Sequence, residues 1–190
     1  MKINEVTTSQ INDKWFEQGS FKTFKKPAMS EHQPLTARQL VATLVAHRGY
    51  QKLYPENTAL SVTQAIKAGA LFVEIDIQLS KDHQPLVYHD ISLERVSACP
   101  GSVADLTLRE LEQLPAYEPQ RLGTQFIEET ISSLETVVEI IHQHPAVTLF
   151  VELKEESIEH FDAATMLTKV CEILQPISER AVLISFDYDI

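Results

Sequence analysis

Residues 71–90 read LFVEIDIQLSKDHQPLVYHD and contain two extended segments joined by a very short connection. Aliphatic side chains occupy every odd position of residues 71–79, which is the two-residue period of a β-strand. Only the residues SKDHQ separate Leu79 from Pro85, whereas a parallel crossover needs about a dozen or more. The two segments are therefore predicted to pair as an antiparallel hairpin.

Further strands and helices alternate on both sides of this hairpin. The segments VATLVAH (41–47), TLFVELK (148–154) and AVLISF (181–186) are typical of buried strands. Helical patterns lie between them, and SIEHFDAATMLTKVCEIL (157–174) is predicted to form one helix. This rhythm predicts an α/β fold with a parallel sheet. Four barrel-type strands are expected, at 41–47, 71–77, 148–153 and 181–185.

About four βα units of this kind would make half of a (β/α)8 TIM barrel. Residues 80–130 are expected to form an insertion after the second strand. Residues 1–40 are polar and poorly periodic, so we predict an N-terminal extension there and the barrel domain over 41–190. A half barrel would leave two open sheet edges.

The composition excludes several kinds of protein. Among 190 residues, 27 acidic and 16 basic side chains give a net charge of −11, and no basic stripe indicates a nucleic-acid partner. No apolar run has the length of a secretory signal or of a membrane span. The two cysteines form no CxxC motif. We therefore expect a cytoplasmic protein without a membrane span.

Acidic side chains interrupt two of the predicted strands. Glu74 and Asp76 lie two residues apart, so both point to one face of their strand, and Glu152 and Lys154 repeat this spacing. Buried carboxylates require a shared proton, a cationic partner or a metal ion. Oxygen donors from two neighbouring strands favour a hard divalent cation, Mg²⁺ or Ca²⁺.

Other polar residues follow the ends of predicted strands. His47 and Arg48 close the first strand, and His89 with Asp90 closes the hairpin. Each feature has a purely structural explanation as well, such as a salt-bridged strand end or a histidine that only forms hydrogen bonds with its neighbours. Their joint occurrence at the carboxyl ends of strands favours an active site of a barrel enzyme.

Residues 46–96, AHRGYQKLYPENTALSVTQAIKAGALFVEIDIQLSKDHQPLVYHDISLERV, contain HRG, PENT, E-x-D and HD in this order. This string closely resembles the glycerophosphodiester phosphodiesterase family. The segments SVADLTLREL, ISSLETVVEII, FVELK and ISF extend the resemblance over roughly residues 41–186. The resemblance implies a TIM-barrel enzyme that hydrolyses small glycerophosphodiesters to glycerol 3-phosphate and an alcohol.

The resemblance also implies a role for each motif residue. Glu74, Asp76 and Glu152 match the metal ligands, and His47 with His89 matches the acid–base pair. The remaining matches are two phosphate-binding cations and two supporting residues of the PENT loop: Arg48, Lys154, Glu56 and Asn57.

The chain departs from the family pattern in two respects. Ser80 and His83 stand in the hairpin where the family usually has threonine and glycine. The family has four more strands after ISF, so we expect only the N-terminal half of its barrel in this chain.

Two alternative functions remain open from the sequence. One is a phosphodiesterase of the lysophospholipase D or sphingomyelinase D type that acts on lipids. The other is a half-barrel that binds a metal without catalysis, or that folds by pairing its open edges in a homo-oligomer.

Overall fold

The computed structural model describes residues 44–186, so the extension predicted over residues 1–40 lies outside the described residues. Six strands form one sheet: β1 Val45–Ala46, β2 Phe72–Leu79, β3 Pro85–Val87, β4 Ser132–Ser133, β5 Thr148–Leu153 and β6 Ala181–Ser185. The helices are α1 Ala59–Lys67, α2 Glu94–Ser97, α3 Leu108–Leu111, α4 Pro119–Leu122, α5 Leu134–His142, α6 Glu155–Phe161 and α7 Ala163–Leu174. Two 3₁₀ segments complete the described elements, Val103–Asp105 and Gln175–Arg180.

Strand β2 lies at the centre of the sheet. It pairs in parallel with β1 at its start and with β5 along most of its length, and β5 pairs in parallel with β6. The end of β2 pairs with β3 in an antiparallel hairpin. The structure thus confirms the four parallel strands and the hairpin that the short SKDHQ connection predicted.

The main core lies on one side of this sheet. The aliphatic side chains of β2 are fully buried there and pack with buried residues of α1, α5 and α7. These helices bury apolar residues at helical spacing, such as Val137, Val138 and Ile141 of α5. Because side chains alternate along a strand, Glu74 and Asp76 of β2 point away from this core.

The segment between β3 and β4 has a second, smaller core. Leu86, Tyr88, Leu93, Val96 and Val103 are buried in it, together with residues farther along the same segment. The helices α2, α3 and α4 within the segment have only four residues each, so packing rather than helical propensity holds them. These elements occupy the part of the chain that was predicted as an insertion.

One local expectation was wrong, and one short strand was not predicted. The helix predicted over 157–174 is broken at Asp162, whose φ of 79° ends α6 and whose side chain accepts a hydrogen bond from the Thr165 amide at the start of α7. Strand β4 was not predicted, because two serines that pair with β3 give no strand pattern. Among the described residues, no helix has the length and apolar character needed to cross a membrane.

Candidate active site

Three buried carboxylates form a cluster on the face of the sheet opposite the main core. The parallel register of β2 and β5 places Asp76 beside Glu152, and Glu74 lies one period earlier on the same face. One oxygen of each residue lies within 4.8 Å of the other two. All three residues are buried, with exposed fractions of 5%, 0% and 8% for Glu74, Asp76 and Glu152.

This cluster has the properties of a cation site. Glu74 Oε1 and Asp76 Oδ1 are buried and accept no hydrogen bond. Burial, together with the negative charges of Asp76 and Glu152, raises the pKa of Glu74 to about 7. A divalent cation bound to these oxygens would remove both costs, and an all-oxygen donor set is the one that Mg²⁺ and Ca²⁺ prefer.

Two cationic side chains flank the carboxylates. Lys154 Nζ lies 2.9 Å from Glu152 Oε1 and 3.7 Å from Asp76 Oδ1. Burial alone would lower the pKa of Lys154, but the two carboxylates outweigh this effect and raise that pKa. Arg48 Nε lies 3.1 Å from Asp76 Oδ2 without the angle of a hydrogen bond, and the Arg48 backbone amide donates to Glu74 Oε2 at 2.9 Å.

The HRG turn places Arg48 over the cluster. Arg48 and Gly49 both have positive φ angles, 54° and 74°. A Cβ on Gly49 would lie 2.4 Å from Ser61 Oγ, and that hydroxyl donates to the Arg48 carbonyl at 3.1 Å. Only glycine therefore allows the turn to approach the first residues of α1 this closely.

The PENT loop supports the site from one side. The Asn57 side chain donates to Asp76 Oδ2 at 2.8 Å and accepts from the Asp76 amide at 3.1 Å. Glu56 Oε1 accepts a hydrogen bond from Arg48 Nη1 at 3.0 Å. Asn57 has a positive φ of 54°, which asparagine tolerates better than most residues. The structure therefore places both PENT residues in direct contact with predicted site residues.

The two histidines have different surroundings. His47 Nε2 lies 3.8 Å from Glu74 Oε2, and its Nδ1 accepts a hydrogen bond from Gln51 Nε2 at 2.8 Å. His89 Nδ1 lies 2.6 Å from Asp90 Oδ1. The His89 carbonyl accepts from the Gln78 side chain of β2, which fixes the backbone at this point. Each imidazole thus has one nitrogen engaged by a neighbouring side chain.

Sequence reasoning missed a set of charged residues beside these groups. Arg95 of α2 contacts both Asp90 and Glu56, and the buried Glu118 accepts a hydrogen bond from the Glu56 amide at 2.7 Å. Arg121 pairs with Glu118 and donates to backbone carbonyls of the loop before PENT. Glu118 has no recognisable motif around it, and only Arg95 lies within the string that resembles the family.

A mixed sheet that carries buried carboxylates on its parallel strands, with imidazoles and cations beside them, is typical of an α/β enzyme of barrel type. The chain belongs to the glycerophosphoryl diester phosphodiesterase family, whose model matches residues 47–189.

Individual relatives agree with this assignment. A glycerophosphodiester phosphodiesterase from Bacillus altitudinis is 36% identical over 135 residues, which are 62% of this chain and 53% of the relative. Glycerophosphodiester phosphodiesterase 1 from Bos taurus is 31% identical over 161 residues, which are 84% of this chain and 47% of the relative. The chain therefore spans about half the length of the curated relatives that it matches.

Solved structures share the fold. An Oleispira antarctica phosphodiesterase, determined in complex with the product sn-glycerol-3-phosphate, has a TM-score of 0.67 and 34% identity. The match covers 76% of this chain and 57% of that one. A glycerophosphodiester phosphodiesterase from Thermotoga maritima has a TM-score of 0.60 at 29% identity, with 78% and 55% covered.

Proposed function

We propose that this chain carries the active-site residues of an enzyme that hydrolyses glycerophosphodiesters. The observation that supports this most strongly is the cluster of three buried carboxylates, two of whose oxygens accept no hydrogen bond, flanked by Arg48 and Lys154. The family assignment supplies the reaction class. The product bound to the Oleispira enzyme suggests glycerol 3-phosphate as one product here.

In this proposal Glu74, Asp76 and Glu152 hold a divalent cation, Mg²⁺ or Ca²⁺. When bound, the cation supplies positive charge that stabilises the phosphodiester and its transition state. Arg48 and Lys154 lie beside the same carboxylates and add positive charge for the phosphate oxygens. The negative cluster thus becomes a site for an anionic substrate once the cation is present.

The proton transfers fall to His47 and His89. One imidazole takes a proton from the attacking hydroxyl while the other gives a proton to the oxygen of the departing alcohol. By resemblance to the family, the attacking group is the substrate's own glycerol hydroxyl, which would form a cyclic phosphate as the bond to the alcohol breaks. Water then opens the ring, and the products are glycerol 3-phosphate and an alcohol such as choline or ethanolamine.

Single histidine substitutions test these roles. We expect His47→Ala and His89→Ala each to lower kcat by about 10²- to 10⁴-fold and to abolish one limb of a bell-shaped pH profile. The exposed His142 supplies a matched control, and His142→Ala should leave the rate unchanged. An unchanged rate and pH profile in either site variant would refute the acid–base assignment.

A comparison of substrates separates this function from activity on lipids. We expect faster hydrolysis of glycerophosphocholine than of lysophosphatidylcholine, because the site residues are polar and charged. Faster hydrolysis of the lipid would favour the lysophospholipase D type. A chain that binds the cation and hydrolyses neither compound would favour a non-catalytic metal-binding module. The cytoplasmic location stays a prediction.

A further inference from the structure

Arg95 links the two sides of the candidate site and belongs to neither the cation cluster nor the histidine pair. It lies in α2, just after the hairpin, and its guanidinium contacts three carboxylates. Asp90 and Glu56 accept hydrogen bonds from it, and Glu118 Oε1 lies 3.8 Å from its Nη1. A planar guanidinium with five donors suits such a position, whereas the ammonium of lysine does not.

The contact with Asp90 extends to His89. Arg95 Nε donates to Asp90 Oδ2 at 2.6 Å and Nη2 donates to Asp90 Oδ1 at 2.9 Å, so both carboxylate oxygens are engaged. The same Oδ1 lies 2.6 Å from His89 Nδ1. Although burial opposes it, the hydrogen bonds from Arg95 and His89 lower the pKa of Asp90 to about 2. An ionised carboxylate only accepts hydrogen bonds, so the proton must lie on His89 Nδ1 and Nε2 is left free.

The contact with Glu56 extends to Arg48. Glu56 Oε1 accepts from Arg95 Nη2 at 2.7 Å and from Arg48 Nη1 at 3.0 Å. Glu56 is 5% exposed, and the two arginines lower its pKa against the effect of burial. One carboxylate oxygen therefore joins the guanidinium beside His89 to the guanidinium beside the cation cluster.

We propose that Arg95 is a positioning residue of the site, which fixes the Nδ1–H tautomer of His89 through Asp90 and holds that ring in place relative to Arg48 through Glu56. This inference rests on the proposed function, because the tautomer matters only if Nε2 of His89 exchanges a proton with substrate or product. A histidine whose Nδ1 donates to a fixed carboxylate presents Nε2 as an acceptor when neutral and as a donor when charged. Either acid or base chemistry then takes place at one defined atom.

The tautomer can be measured directly on this chain by NMR. Long-range ¹H–¹⁵N spectra of ¹⁵N-histidine-labelled protein, recorded where the imidazoles are neutral, distinguish a protonated Nδ1 from a protonated Nε2. His89→Gln identifies the His89 signals by their loss. We expect the wild-type ring to be the Nδ1–H form, and Arg95→Ala and Arg95→Lys to shift it towards a mixture of tautomers.

Matched variants separate positioning from a general effect on folding. Arg109 is an exposed arginine of α3, and Arg109→Ala should leave the His89 signals unchanged. His47 serves as an internal reference. If Arg95→Ala moves the signals of all histidines, Asp90→Ala decides, since it leaves the Arg95–Glu56 contact in place and removes the carboxylate that joins Arg95 to His89. His89 signals unchanged in both Arg95 variants, or unchanged in Asp90→Ala, would overturn the inference.

Activity provides a second and separate readout. Where the wild-type chain turns over glycerophosphocholine, we expect Arg95→Ala to lower kcat by about 10- to 100-fold, the loss typical when the partner that orients a site residue is removed. A fixed His89 tautomer without turnover would refute the proposed function and leave the positioning role intact. Turnover with a His89 tautomer that does not respond to Arg95 would refute the positioning role alone.

Discussion

Glu74 is a buried carboxyl group of the site for which ionisation is unfavourable. Its pKa is raised to about 7, first by burial and then by the charge of Asp76. Because the folded-state pKa lies above the ordinary value of 4.5, the cation-free protein should lose stability as the pH rises from about 4.5 to about 7. A bound cation would remove that loss by pairing with the ionised form.

Cation affinity should therefore depend on pH. The cation competes with the proton on Glu74, so we predict that the affinity for Mg²⁺ or Ca²⁺ rises about tenfold between about pH 6 and about pH 8 and levels off above the pKa. Isothermal titration calorimetry at several pH values measures this. Glu74→Gln should abolish the pH dependence along with most of the affinity, and the exposed Glu135→Gln should do neither. Affinity that is constant over this range would refute the prediction.

Gly49 is the residue of the HRG turn that tolerates substitution least, because a side chain there would clash with Ser61. In Gly49→Ala the new Cβ would meet the backbone of Ser61 at 2.6 Å, in a conformation with φ of 74°. We predict a loss of about 2–4 kcal/mol in the free energy of unfolding, measured by urea denaturation. Gly123, with φ of 62° and open space where a Cβ would lie, is the matched control. Its alanine variant carries the backbone strain without the clash, so an equal loss in both variants would contradict the role of close approach.

Local patterns were sufficient to predict the central strands and the three carboxylates that the structure brings together. The alternation of apolar residues in 71–79 predicts β2, and the shortness of SKDHQ predicts the hairpin. The parallel pairing of β2 with β5 then brings the carboxylates of the cluster together. The remaining features depend on contacts between distant segments. Glu118 lies 62 residues after Glu56 in the sequence and contacts the Glu56 amide only in the folded chain. No local pattern encodes that contact.

The hairpin turn offers a test at the level of a single element. His83 adopts a φ of 57° where the family usually has glycine, and its ring contacts Phe161 at 5.0 Å between centroids. We predict that His83→Val lowers the free energy of unfolding by about 1–2 kcal/mol, because a β-branched residue resists this conformation. His83→Gly should cost less than His83→Val. The reverse order in urea denaturation would show that the ring contact outweighs the backbone conformation.

The segment between β3 and β4 is predicted to hold the PENT loop through Glu118. Glu118→Ala removes the acceptor of the Glu56 amide and the partner of Arg121, and we expect it to cost about 2–3 kcal/mol. Hydrogen exchange localises the effect, because the Glu56 amide should lose its protection. The exposed Glu128→Ala in the same segment is the control. A Glu56 amide that stays protected in Glu118→Ala would contradict this link.

At the scale of the whole molecule, the outermost parallel strands of the described sheet are β1 and β6. Both present apolar side chains to solvent, with Val45 45% exposed and Leu183 36% exposed. Burying these strands would gain apolar contact and satisfy backbone groups. Homo-oligomerisation through the two edges stays a prediction, which size-exclusion chromatography coupled to light scattering would check.

In the proposed function, a molecule of net charge −11 needs a bound cation to attract an anionic substrate. Release of glycerol 3-phosphate from glycerophosphocholine, with Mg²⁺ or Ca²⁺ and then with excess chelator, shows whether the carboxylate cluster and its neighbours form an active site. We predict release that the chelator abolishes, that Glu74→Gln lowers by about 100-fold or more, and that Glu135→Gln leaves unchanged. Release that resists both the chelator and Glu74→Gln, or no release from a folded chain that binds the cation, would contradict the proposed function.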